Sequence, residues 1–103
     1  MGQFGVFSEK ETIEKIKEYL ANDAVVLDVR TQEEWNEGHV EGAQHIILNL
    51  IPHQVEEIKS WNKKVIAVCR SGARSGQATR FLEQNDIDVV NGGPWQNVDQ
   101  FIS

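Results

Sequence analysis

Apolar positions along this chain follow two alternating rhythms. Ile13, Ile16, Tyr19 and Leu20 recur at three- and four-residue spacing behind Ser8-Glu9-Lys10-Glu11. That segment is a capping box, in which a serine hydroxyl and a glutamate three residues on satisfy each other's free amides. Together they predict a helix from Glu9 to Asn22. Ala24-Val25-Val26-Leu27 is then apolar on both faces, the mark of a parallel strand covered by helices on each side, and Asp28 and Arg30 sit at its end. Thr31-Gln32-Glu33-Glu34 is a second capping box, opening a short helix that Gly38 stops. Ala43 to Ile46 predicts a short strand, and Ile47 to Trp61 a helical stretch carrying Val55 and Ile58.

A second two-faced run, Val65-Ile66-Ala67-Val68, ends directly at Cys69. Arg70 to Arg74 reads as a short polar loop containing Gly72, and Ser75 to Asn85 as a helix with Ala78, Phe81 and Leu82 on one face. Ile87 to Val90 predicts a further strand, Gly92-Gly93-Pro94 a turn, and Gln96 to Ile102 a last short helix. Alternation of this kind predicts an α/β fold with a mostly parallel sheet.

At 103 residues the chain has room for a single domain spanning residues 1–103. With 40% apolar and 25% charged residues it is neither disordered nor collagenous in composition. Its apolar runs are far shorter than the roughly 20 residues of a membrane span, and Met1-Gly2-Gln3-Phe4-Gly5 lacks a basic and then apolar leader. A cytoplasmic location without membrane attachment is the default expectation. The net charge of -6 argues against a nucleic-acid partner held through phosphates. Charge is also uneven, since residues 1–57 hold twelve acids and four bases, whereas Lys59, Lys63, Lys64, Arg70, Arg74 and Arg80 follow with no acid among them. Cys69 is the only cysteine, so the chain has no internal disulfide and no thiolate cluster, and His45 and His53 lack ligand spacing; neither a metal nor another cofactor is expected.

A lone cysteine is usually a small buried hydrophobe. Here its position says otherwise, because ligands of a parallel α/β sheet bind beyond the carboxyl ends of the strands, where loops enter helix N-termini. The loop Cys69-Arg70-Ser71-Gly72-Ala73-Arg74-Ser75 would turn backbone N–H groups inward and lead into the positive end of a helix. Such a cradle favours an anion and favours thiolate over thiol. Cys69 is therefore a candidate nucleophile, with Gly72 allowing a tight path and Arg70 and Arg74 offering forked donors to an oxyanion.

Three segments in this order resemble the rhodanese family of thiosulfate sulfurtransferases, in particular its small single-domain members. They are Val26-Leu27-Asp28-Val29-Arg30 with Glu34-Trp35 and Gly38-His39-Val40-Glu41-Gly42-Ala43, the loop Cys69 to Ser75, and Val90-Asn91-Gly92-Gly93. The resemblance implies a three-layer fold with a central sheet of about five strands flanked by helices. It further implies a Cys69 persulfide formed from a small anionic donor such as thiosulfate and discharged to cyanide or a thiol, including a thiol on a protein. Arg70 would bind the donor, and the amides of Ser71, Gly72, Ala73, Arg74 and Ser75 would cradle the persulfide. Arg74 has two readings, substrate ligand or loop anchor paired with an acid. Asp28, Arg30 and His39 are taken as supports for the loops rather than as members of a triad with Cys69. Glu41 and His45 stand where many relatives carry Pro and Asn.

Two rival functions share these residues. Phosphatases and arsenate reductases of the same fold also place a cysteine under an anion cradle, but they have five residues between nucleophile and arginine, and here there are four, Arg70 to Ala73. A noncatalytic binding module is the other, although such modules frequently lack the cysteine.

Overall fold

The computed structural model describes residues 8–102. In chain order they form α1 (Glu9–Ala21), β1 (Val25–Asp28), α2 (Gln32–Glu37), β2 (Gln44–His45), a 3₁₀ helix (Leu48–His53), α3 (Val55–Ser60), β3 (Val65–Cys69), α4 (Ala73–Gln84), β4 (Val89–Pro94) and α5 (Gln96–Asp99). Both capping boxes are formed, Ser8 with Glu11 and Thr31 with Glu34.

The strands make one parallel sheet in the order β2-β1-β3-β4. Successive side chains of a strand point to opposite faces. Leu27, Val65, Ala67 and Cys69 therefore share one side with Ala78 and Leu82 of α4 and Ile58 of α3. Val26, Ile66, Val68 and Val90 share the other with Ile16 of α1 and Val98 of α5. Each fully buried aliphatic side chain adds about 1.5–3 kcal/mol, so the two apolar layers hold the sheet between its helices. The same alternation puts the Cys69 side chain on the α4 side. Because all strands are parallel, Asp28, His45, Cys69 and Pro94 end on one edge of the sheet. No helix among the described residues is long and apolar enough to cross a membrane.

The three-layer α/β arrangement agrees with the sequence reading, and among the described residues the sheet has four strands, close to the five or so expected. The helical stretch from Ile47 to Trp61 is broken at Gln54. Pro52 lies inside the first piece, where it lacks an amide hydrogen and leaves a 3₁₀ segment in place of an α-helix. Gly92-Gly93-Pro94 is not a turn but the end of β4, which runs on through a bulge. Asn91 faces Ala67 and Gly93 faces Val68, so Gly92 is the extra residue. A Cβ on Gly92 would lie 2.8 Å from Ile66 Cγ2 and 3.0 Å from Val68 Cγ1, which is why the bulge needs glycine. α4 begins at Ala73, two residues earlier than its apolar pattern indicates, and this shortens the loop after Cys69.

Candidate active site

Cys69 is the last residue of β3 and is buried. The chain turns at Gly72, whose φ of 101° lies in the left-handed region that a side chain disfavours, and enters α4. This turn aims donors back at the sulfur. The Gly72 amide donates to Cys69 Sγ at 3.0 Å and the Ser75 amide at 3.4 Å, with Ser75 Oγ at 3.3 Å. The first turn of α4 adds the positive end of a 12-residue helix. Burial pushes the Cys69 thiol up, but donors from the Ser75 side chain and from the amides of Ser75, Gly72 and Ser71 outweigh it, and the net displacement is downward. The Ala73 amide goes instead to Ser71 Oγ, at 3.4 Å.

The two loop arginines are placed differently. Arg74 makes a bidentate pair with Glu34 at 2.8 and 2.9 Å, the geometry of a loop anchor. Glu34 also accepts from the Thr31 amide at 2.9 Å as the capping glutamate of α2. The Arg74 guanidinium and the Thr31 amide together hold its carboxyl at about 2. One carboxylate thus ties the first turn of α2, which follows β1, to the first turn of α4, which follows β3. Arg70 is exposed.

Asp28 and Arg30 form a buried ion pair, with Arg30 Nε donating to both Asp28 oxygens at 2.9 and 3.0 Å and Nη2 at 2.8 Å. Nη2 also donates to the Gly38 carbonyl at 2.7 Å, and the guanidinium lies 5.1 Å from the Trp95 ring centroid. His39 donates from Nδ1 to the Trp35 carbonyl and stacks on the Trp35 ring, 3.6 Å between centroids. His45 donates from Nε2 to the Arg30 carbonyl and also stacks on Trp35. Among the described residues no histidine nitrogen is hydrogen-bonded to Cys69 Sγ, so the arrangement is not that of a Cys-His-Asp triad.

A model of the rhodanese-like domain matches residues 12–96 of this sequence. The chain belongs to that family. Within it, this rhodanese-like domain is 37% identical over 79 residues to a sulfurtransferase of Allochromatium vinosum, covering 75% of this chain and 73% of that protein. It is 35% identical to YtwF of Bacillus subtilis over 66 residues, which are 64% of this chain and less than two thirds, 63%, of YtwF. Among solved structures, a rhodanese-like domain protein from Staphylococcus aureus superposes with a TM-score of 0.66 at 30% identity, covering 84% of this chain and 86% of that one. A rhodanese from E. coli solved with anions gives 0.65 at 29% identity, covering 72% and 89%.

Two residues of the site were not visible as such in the sequence. Asn91 accepts from Ser75 Oγ at 2.6 Å and from the Gly93 amide at 3.0 Å, and donates to the Gly72 carbonyl at 3.0 Å. Glu34 reads from the sequence as a helix cap and as part of a family-like segment but not as an ion-pair partner, and Arg74 is 40 residues away.

Proposed function

We propose that this rhodanese-like domain is a sulfurtransferase that carries sulfane sulfur on Cys69. The thiolate attacks the outer sulfur of thiosulfate, or of another persulfide donor. An S–S bond forms to Cys69 as the donor's own S–S bond breaks, and sulfite, or the thiolate of a persulfide donor, leaves with the bonding pair. Cyanide or an acceptor thiolate then attacks the terminal sulfur and departs as thiocyanate or a new persulfide, returning the Cys69 thiolate. The chain's own residues supply each element of this scheme. The amides of Gly72 and Ser75 face the reacting sulfur, and the α4 N-terminus stabilises negative charge there. Arg70, exposed on the loop, is the donor-binding cation, while Arg74 holds the loop through Glu34.

The observation that carries this reading is the convergence of hydrogen-bond donors on a buried cysteine whose thiol is displaced toward the thiolate. The name of the Allochromatium relative and the anions of the E. coli structure point the same way. A phosphatase of this fold has five residues between nucleophile and arginine, and this loop has four, Arg70 to Ala73. The test is thiocyanate production from thiosulfate and cyanide, with both concentrations varied. Parallel double-reciprocal lines are expected, because sulfite leaves before cyanide reacts; an absence of thiocyanate would refute the proposal for this donor.

A further inference from the structure

The Ser75 hydroxyl has one hydrogen and two acceptors, Cys69 Sγ at 3.3 Å and Asn91 Oδ1 at 2.6 Å. The orientation of the Asn91 amide is fixed by its other partners. The Gly93 N–H can only donate and faces Oδ1; the Gly72 carbonyl can only accept and faces Nδ2. Oδ1 can only accept, so at 2.6 Å the hydroxyl hydrogen lies on the line to Asn91 and not on the line to the sulfur. The hydroxyl oxygen is then open to accept a hydrogen bond from the thiol S–H. We propose that Asn91 is a positioning residue that acts through Ser75, holding the hydroxyl hydrogen whenever Cys69 Sγ carries no charge and releasing it to Sγ when the thiolate forms.

The proposal builds on the sulfurtransferase reading, which makes Sγ alternate between two states during turnover. In the thiolate, Sγ is charged and takes the Ser75 hydrogen. In the persulfide, the charge sits on the terminal sulfur, and the hydrogen returns to Asn91. No covalent bond changes in this exchange; a single O–H rotates between two acceptors. Asn91 therefore competes with the thiolate, and in its absence the hydroxyl would serve Sγ alone. The Gly72 carbonyl keeps a second donor, the Gly76 amide at 2.9 Å, so loss of Asn91 does not free the loop.

This predicts the sign of an effect that a merely structural role would not produce. Cys69 is the only cysteine, so the rate of alkylation by iodoacetamide against pH reports its titration alone. Asn91→Leu, of similar size without polar atoms, and the smaller Asn91→Ala should each lower the alkylation midpoint by about half to one pH unit, the worth of one net hydrogen bond. Ser75→Ala should raise it. The double variant Asn91→Leu with Ser75→Ala should match Ser75→Ala, because the competition needs the hydroxyl. Far-ultraviolet circular dichroism establishes that each variant is folded. An unchanged or raised midpoint in the Asn91 variants would overturn the proposal, as would an equal lowering in the Ser75→Ala background. Alkylation needs no sulfur donor, so a failure here is distinct from a failure of the sulfurtransferase reading, which shows as wild-type protein that makes no thiocyanate.

Discussion

Replacing Glu34 with Gln isolates the contact that joins the first turns of α2 and α4 at the site. Glutamine keeps an oxygen for the Thr31 amide, so the cap of α2 survives while the charge facing Arg74 is lost. The carboxyl is displaced from 4.5 to about 2, and at 1.36 kcal/mol per pH unit this sets a ceiling of about 3 kcal/mol. The Glu34 and Arg74 side chains are 20% and 33% exposed, and solvent screening brings the expected loss to about 1–2 kcal/mol at pH 7. The sign with pH follows from the depressed value. The contribution is complete above about 4.5, where the unfolded carboxyl is ionised, and is lost as pH falls toward about 2. Urea unfolding of wild type and Glu34→Gln at pH 7 and near pH 3 is the assay, since other carboxyls cancel in the difference. The gap between the two proteins should shrink by more than half at the lower pH. Equal gaps at both pH values would refute the assignment of Glu34 as the charged partner of Arg74.

Other substitutions test other parts of the molecule. Arg70→Ala should raise the KM for thiosulfate about 10- to 100-fold, as expected for one charge-assisted contact, and leave urea stability within about 0.5 kcal/mol because the side chain is exposed. Asp28→Asn leaves the buried Arg30 guanidinium without its counter-charge and should cost about 3–5 kcal/mol in urea unfolding. Gly92→Ala drives a methyl group against Ile66 and Val68 and should cost about 1–3 kcal/mol, read as a lower melting temperature.

What could be read from the sequence was local. Val25 to Leu27 and Val65 to Val68 announce buried parallel strands because both faces of each are apolar, and Ser8 and Thr31 announce helices because their capping partners lie three residues on. Cys69 stood out because a strand run ends on it and a glycine-bearing loop follows. Contacts made only by folding were not legible. Arg74 meets Glu34 across 40 residues, and Ser75 meets Asn91 across 16, distances at which spacing carries no information. Gly92-Gly93-Pro94 has the composition of a turn, but the space that excludes a side chain at Gly92 is created by Ile66 and Val68 on the neighbouring strand. β2 is only two residues long, too short for an alternating pattern to reveal its extent.

The most direct measurement is the intact mass of wild type and Cys69→Ser after incubation with thiosulfate, before and after cyanide is added. A persulfide on Cys69 predicts that wild type gains the mass of one sulfur atom and loses it to cyanide, while Cys69→Ser gains nothing. A wild-type mass unchanged by thiosulfate, or the same gain in Cys69→Ser, would contradict it.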